Sequence, residues 1–183
     1  NPNAPYSNHS VNIVGGSNMT KVSMGVSNTY QEGIFGYPVQ SKYNRTTVRL
    51  NSDHVILRKN DLDIITVGQN LTYTYSTKGG IAEGDFYWND ISNMLRANPL
   101  VPLYDAEGNY SDYDELEKIG LWTLTSDARN PVVIMERSSR GNNQSQSHGL
   151  NLSANLRIQP IKDLIFRSQF NYKLSAGTYS SYE

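Results

Sequence analysis

The chain has 183 residues, a formal net charge of -1 and no cysteine. Leu, Ile, Val and Phe make up about 23% of it (42 of 183), just above the ~20% below which a chain is expected to be disordered. Its 16 basic residues are balanced by 17 acidic ones, so no excess of positive charge indicates a nucleic-acid partner. The absence of cysteine excludes disulfides and thiolate metal sites, and no signal peptide is recognisable at the N-terminus.

Apolar residues never form a long run in this sequence. The longest unbroken stretch has four residues, from Val132 to Met135, far short of the ~20 that a membrane-spanning helix needs. A transmembrane β-barrel remains compatible with this composition, because its strands alternate apolar and polar residues.

Alternation with a period of two predicts six antiparallel strands. Two of them flank a glycine-rich turn at 15–20, two flank a polar break at 58–61, and two flank Gln159 and Pro160. We expect the fifth strand to end there, because proline donates no hydrogen bond to a sheet. Each predicted strand is ~9–12 residues long, enough to cross a bilayer at a tilt. Their apolar sides hold Val11, Ile13, Val22, Met24, Val26, Val48, Leu50, Ile56, Ile65, Val67, Leu71, Leu150, Leu152, Leu156, Ile158, Phe166, Phe170 and Leu174.

The region between the fourth and fifth strands has a different pattern. Residues 86–97 show helical spacing, with Ile91, Met94 and Leu95 on one side. Residues 105–109 have turn chemistry and 141–147 resemble a polar linker. We therefore divide the chain into four barrel strands (1–77), a long extracellular loop with a short helix (78–146) and two further barrel strands (147–183).

The connections alternate between short and long, as in outer-membrane barrels with short periplasmic turns and long extracellular loops. Four tyrosines lie at the long-loop ends of their strands, on the apolar side, and predict an aromatic girdle at the membrane surface: Tyr30, Tyr73, Tyr75 and Tyr172. A soluble antiparallel sandwich, with one wet face, would show the same alternation strand by strand.

The polar sides of the same strands would face the lumen of a barrel. Among Thr, Asn, Ser and Gln they carry five positive charges: Arg45, Arg49, Arg157, Arg167 and Lys173. These residues would line a polar path, or pair with carboxylates of a plug domain inside the barrel.

The long loop holds the candidates for contact with a ligand or a partner protein, because exposed loops often carry function. They are Trp88, Arg96, Tyr104, Asp105, Tyr110 and Trp122. The acidic stretch around Asp105 fails the EF-hand pattern, since Gly108 does not occupy the sixth loop position. No catalytic motif is present and the three histidines are isolated in sequence, so neither an enzyme nor a metal or cofactor site is predicted.

Three strings of residues near the beginning of the chain are informative: Asn-Ile-Val-Gly-Gly-Ser at 12–17, Tyr-Gln-Glu-Gly-Ile at 30–34 and Tyr-Asn-Arg-Thr-Thr-Val-Arg-Leu-Asn at 43–51. They resemble the early barrel of SusC/RagA-type TonB-linked outer-membrane proteins. The stretch Leu-Arg-Ala-Asn-Pro-Leu-Val-Pro-Leu-Tyr-Asp at 95–105 is similar to that family's extracellular insertion, and Pro-Ile-Lys-Asp-Leu-Ile-Phe-Arg-Ser at 160–168 to a periplasmic turn and its next strand.

This resemblance implies a role in transport. Members of the family form large barrels with a plug, act with a SusD-like surface lipoprotein and the TonB complex, and import oligosaccharides or peptides across the outer membrane of Gram-negative Bacteroidetes. Six strands are too few to close such a barrel, so we expect a segment of one, lying against outer-membrane lipid, with plug and remaining strands absent. The alternative is a secreted soluble β-sheet module that binds glycans through loop aromatics.

Overall fold

The computed structural model describes residues 3–34, 40–80, 90–97, 102–111, 120, 130–133, 136 and 144–180. Six strands form one antiparallel sheet in which each strand pairs with the next along the chain. They are β1 (Tyr6–Gly16), β2 (Thr20–Glu32), β3 (Lys42–Lys59), β4 (Leu62–Gly79), β5 (Gln144–Ile161) and β6 (Leu164–Ser180). The all-β prediction is confirmed, and the sheet is open, with β1 and β6 at its edges.

The first two short turns lie where the sequence predicted them. Asn60 and Asp61 both have positive φ, 51° and 59°, as a two-residue hairpin turn that follows the twist of its strands requires. At the first turn, the Ser17 amide donates to the Thr20 carbonyl over 2.6 Å. A Cβ on Gly16 would lie 2.3 Å from that same carbonyl oxygen, so this turn needs glycine.

The predicted end of the fifth strand at Pro160 is wrong. β5 continues through Gln159 and Pro160 to Ile161, and the last turn is Lys162 and Asp163. The pairing with β6 shifts register between Ile158 and Ile161. Proline is tolerated inside the strand because it lies at this irregularity, where the regular ladder of hydrogen bonds is interrupted.

Five of the six strands are also longer than predicted, with 13 to 18 residues, whereas β1 has 11. The polar stretch 144–147, predicted as linker, belongs to β5: Gln146 pairs with Thr77 on one side and with Thr178 on the other. Polar residues continue the strand because both of its neighbours extend equally far and satisfy its backbone. Hydrophobic alternation cannot reveal this part of the sheet.

In the long connection, the described residues include a short helix, α1 (Asp90–Leu95), and residues 131–133 are also helical. Helix α1 is shorter than the predicted 86–97, of which 86–89 lie outside the described residues, and it ends where the Arg96 amide donates to the Ser92 carbonyl over 3.0 Å. In the parts of the chain that the structure describes, no helix is long and apolar enough to span a membrane.

No hydrophobic core formed by the described residues covers either face of the sheet. Within the described residues, Val133 is the one apolar side chain that is buried, and it lies outside the sheet. Large apolar side chains on the strands are exposed instead, including Ile13, Phe166 and Phe170. The sheet therefore presents two open faces of different chemistry.

Candidate functional site

One face of the sheet is apolar across all six strands. Residues paired in register point to the same side, so the pairings define rows that cross the sheet. Two adjacent rows consist entirely of apolar or tyrosine side chains, each row running from β1 to β6: Val11, Val26, Val48, Tyr73, Leu150 and Leu174, then Ile13, Met24, Leu50, Leu71, Leu152 and Tyr172. We call this side the apolar face.

The four tyrosines predicted as a girdle all lie on the apolar face. Tyr73 and Tyr75 surround His148: the Tyr73 hydroxyl lies 2.8 Å from His148 Nδ1, and the Tyr75 and His148 rings are 4.8 Å apart. Tyr30 donates a 2.5 Å hydrogen bond to Glu32, and Tyr172 is exposed. The hydroxyls of Tyr30 and Tyr73 thus have partners toward the long-loop side of the sheet, and Tyr73 and Tyr172 belong to the two apolar rows themselves.

These tyrosines form a line oblique to the strands. The residue of β6 in register with Tyr30 is Thr178, and Tyr172 lies six residues from it along β6. Six residues cover roughly 20 Å, and the four strand spacings from β2 to β6 cover roughly 19 Å. The line therefore crosses the strands at roughly 45°, with Tyr75 and Tyr73 of β4 on either side of its midpoint.

The opposite face is polar and strongly basic. Its paired positions hold mainly Thr, Ser, Asn, Gln and Gly, with apolar and aromatic residues such as Val14, Tyr43 and Tyr179, seven basic side chains and one acidic side chain, Asp53, which lies opposite Lys21. All five predicted lumen residues lie on this polar face. The basic set is Lys21, Arg45, Arg49, Lys78, Arg157, Arg167 and Lys173.

A groove of about 270 Å³ runs over β1, β2 and β3 on the polar face. Arg45 and Arg49 of β3 are its charged residues, and Thr29 and Thr47 are buried at its base. Gly25 lies opposite Arg49 and leaves room for the Asn12 amide, which approaches to 2.3 Å of where a Cβ would be. The remaining polar residues along the groove are Asn8, Ser10 and Ser27.

The sequence did not predict that two arginines of neighbouring strands, both assigned to the polar side, would be paired. Arg157 lies directly opposite Arg167, with Arg157 Nη2 donating to Gln159 Oε1 over 2.5 Å. The Nε of Arg157 is buried and has no hydrogen-bond partner. Both residues could be assigned to the polar side by alternation, but only the register brings them together.

The loop candidates are placed in part. Tyr104 and Tyr110 bridge a small hairpin, with their rings stacked at 5.2 Å and an interplanar angle of 20°. Asp105 lies in the turn of that hairpin, and Arg96 follows α1 with an exposed side chain. Trp88 and Trp122 lie outside the described residues. The rings of Tyr104 and Tyr110 contact each other, which leaves less of each ring open to a ligand.

The Asp105 carboxylate holds this hairpin turn together. Its Oδ1 accepts hydrogen bonds from the amides of Glu107 (2.9 Å) and Asn109 (2.8 Å). Loss of hydration favours the neutral acid, but the hydrogen bonds from Asn109, Glu107 and Gly108 outweigh it and lower the pKa of Asp105 below its ordinary 3.8. The negative charge of Asp105 thus stabilises the turn by accepting these hydrogen bonds.

Beside the hairpin, Asn130 and Ser111 are fully buried. The side-chain amide of Asn130 donates to the Leu103 carbonyl over 3.1 Å, and the Ser111 hydroxyl donates to the Pro102 carbonyl. Residues 130–133 therefore pack against the hairpin, a contact that no sequence motif indicated. Nowhere in the described ranges do three His, Asp or Glu side chains converge as they would around a metal ion.

No protein-family model and no curated protein sequence matches the chain. Among solved structures, it is similar to a chain of the RagAB peptide importer in the "open-open" state, with a TM-score of 0.63 and 19% sequence identity. The match covers 95% of this chain and 18% of that one. The likeness is one of fold. This chain spans less than a fifth of the length of its structural neighbour.

Proposed function

We propose that this chain is a barrel segment of an outer-membrane importer of the SusC/RagA type. It spans the membrane with β1 to β6 and performs no catalysis. The observation that carries the proposal is the apolar face, which continues over six strands with no core of described residues against it. Burying apolar surface is favourable by about 25 cal/mol per Å², so such a face requires an apolar environment.

The oblique line of tyrosines supports a bilayer as that environment. Strands of transmembrane barrels tilt by ~35–45°, so a boundary at constant depth crosses them obliquely. The line from Tyr30 to Tyr172 has about this slope. Tyrosine suits such a boundary because its ring is apolar and its hydroxyl is hydrated. In a soluble sandwich, nothing requires tyrosines of β2, β4 and β6 to follow a common slope.

The polar face then lines the inside of a larger barrel, whose further strands pair with β1 and β6. An open sheet edge does not occur in hydrocarbon. The named neighbour is a peptide importer, which favours peptides over oligosaccharides as cargo. A SusD-like lipoprotein at the long-loop side, and the TonB complex acting through other parts of the barrel, complete the proposal, together with a location in the outer membrane of a Gram-negative bacterium of the Bacteroidetes.

The membrane placement is tested with single cysteines, because the chain contains none. Leu152→Cys and Val26→Cys report on the apolar face, and their neighbours Asn151→Cys and Ser27→Cys on the polar face. Each is labelled with an environment-sensitive fluorophore after reconstitution into vesicles. We expect lipids brominated in the acyl chain to quench the first pair and spare the second. Equal quenching of all four, or a monodisperse monomer without detergent, would instead favour the soluble glycan-binding module.

The transport role is tested separately in cells of the source strain. We expect an affinity-tagged chain, in its native gene, to co-purify with a surface lipoprotein from detergent-solubilised outer membranes. Deletion of the gene should slow growth on peptides more than growth on oligosaccharides. Slower growth on oligosaccharides alone would reverse the assignment of the cargo, and normal growth on both would contradict the role in uptake.

A further inference from the structure

The near-neutral charge of the whole chain conceals a separation of charge. The net charge is -1, yet the paired positions of the polar face hold seven basic residues against Asp53 alone. A face lined by one sign of charge attracts ligands of the opposite sign and raises their local concentration. Anionic ligands are therefore favoured along the whole polar face.

The groove over β1 to β3 is a concave part of this positively charged face. Arg45 and Arg49 are exposed there, and no described carboxylate forms an ion pair with either. Thr29 and Thr47, which also line the groove, are buried. A guanidinium group binds a carboxylate through two parallel hydrogen bonds, and both of these groups are oriented by the same strand.

We propose that this groove binds an extended acidic peptide, whose carboxylates pair with Arg45 and Arg49. The assignment rests on the proposed role in import and names the class of cargo. The two arginines are four residues apart on one strand and point the same way, so their Cα atoms are separated by roughly 13 Å. An extended peptide with acidic residues four positions apart has the same spacing and direction.

The rest of the groove favours a peptide over an acidic sugar. Asn8 and Asn12 on β1 face Arg45 and Arg49 across β2. A side-chain amide both donates and accepts, as a peptide group does, so these residues complement a peptide backbone. The groove lining includes no aromatic ring, the flat apolar surface on which a sugar ring would stack.

Arg157 and Arg167 form a second positively charged site on the polar face, which would also attract an anionic peptide. Like charges directly opposite each other on neighbouring strands destabilise a sheet. A face shaped only by folding stability would avoid the pair, whereas a face that guides anionic cargo gains a second positive site along its length.

The test measures binding of a labelled peptide, by fluorescence anisotropy, to the complete protein encoded by the native gene, purified in detergent micelles. The probe carries two glutamates four residues apart in a serine–threonine background. The comparison peptides carry glutamine at both positions, or place the two glutamates side by side. We expect roughly tenfold weaker binding for either comparison peptide, because hydrogen bonds to charged groups are lost. Binding of the probe should also weaken as salt is raised.

Protein variants locate the site. R45Q/R49Q should weaken binding of the probe roughly tenfold, and R45K/R49K, which keeps the charge but not the paired hydrogen bonds, should fall between it and the unmodified chain. The matched control is K42Q/K59Q, which removes two charges from the same strand outside the groove and should change binding less than about twofold. Far-UV circular dichroism verifies folding of each variant, and R45K/R49K remains informative if R45Q/R49Q does not fold.

Equal binding of the three peptides, or an equal loss in the groove and control variants, would overturn the proposal. So would displacement of the probe by oligogalacturonate at the same carboxylate concentration, which would make the ligand an acidic glycan. The lipid-quenching experiment tests the membrane placement independently of peptide binding. A chain that inserts but shows no preference for glutamate refutes only this inference, and one that prefers glutamate but does not insert refutes only the membrane role.

Discussion

Arg157 of β5 lies directly opposite Arg167 of β6 on the polar face of the sheet. The Nε of Arg157 is buried without a hydrogen-bond partner. Arg167 carries the same charge as Arg157 and therefore cannot form an ion pair with it. Opposed like charges cost a sheet free energy. The pair therefore reduces the stability of the β5–β6 hairpin.

Replacing Arg167 with glutamate should stabilise the sheet. The change converts a repulsive pair into an attractive one and should raise the free energy of unfolding by ~0.5–1 kcal/mol, measured by urea denaturation in micelles. Lys173→Glu is the control, because Lys173 lies on the same strand and face but opposite Asn151. A gain in stability no larger for Arg167→Glu than for Lys173→Glu would show that the opposed charges cost nothing.

The oblique line of tyrosines predicts depths in the membrane. Spin-label probes at positions 30, 73, 75 and 172 should report nearly the same depth. A probe replacing Thr178, which is in register with Tyr30, should lie roughly 14 Å further toward the long-loop side if the strands tilt by ~45°. Equal depths at 30 and 178 would mean that the strands are not tilted and that the slope has another origin.

The first turn distinguishes two adjacent glycines. Gly16→Ala should lower the free energy of unfolding by ~1–3 kcal/mol, because its Cβ would collide with backbone and force the chain apart. The contacts are 2.3 Å to the Thr20 carbonyl oxygen and 2.9 Å to the Lys21 Cα. Gly15→Ala has nothing within 4 Å and should be neutral or slightly stabilising. Urea denaturation of both variants checks the difference, and equal effects would contradict it.

The Tyr104–Tyr110 hairpin should be sensitive to acid. Because the pKa of Asp105 is lowered in the folded hairpin, its contribution to stability is complete above the ordinary value of 3.8 and is lost as pH falls through the lower folded value. We expect the ring signals of Tyr104 and Tyr110, followed by NMR, to lose their stacked positions over this acid range.

Asp105→Asn supplies the control for this titration. The amide oxygen still accepts hydrogen bonds from Glu107 and Asn109, but it carries no charge to titrate. The ring signals of this variant should therefore show no acid transition between pH 5 and 2. A transition as large as that of the unmodified chain would assign the pH dependence to another group.

Alternation in the sequence was sufficient to identify the strands and their two faces. A period of two along β2, β4 and β6 placed Tyr30, Tyr73 and Tyr172 on one side because side chains of an extended strand alternate strictly. The turn at Asn60 and Asp61 could also be predicted from the sequence, since few residues tolerate positive φ and Asn and Asp are among them. The ends of β5 at Gln144 and Ile161 could not be predicted from the sequence, because they depend on backbone pairing with β4 and β6 and not on hydrophobicity.

The sequence predicted the face on which each residue of the candidate site lies, but it did not predict how these residues are arranged relative to one another. Arg45 and Arg49 were assigned to the polar side, but the groove beside them also needs the Asn12 amide from β1 and the absence of a side chain at Gly25. These contacts join residues of different strands, whose relative position no local pattern specifies.

By itself, the sequence determined that this protein is built from one-sided strands, because the period of side-chain direction is a property of the extended backbone. Only the tertiary structure decided which residues of neighbouring strands meet. The register shift beside Pro160 shows the physical reason: Ile161 pairs with Leu164, and the extra residue beyond it brings Ile158 opposite Phe166. Without that shift every side chain of β6 would point to the wrong face. The shift keeps the apolar face continuous, and it also brings Arg157 opposite Arg167.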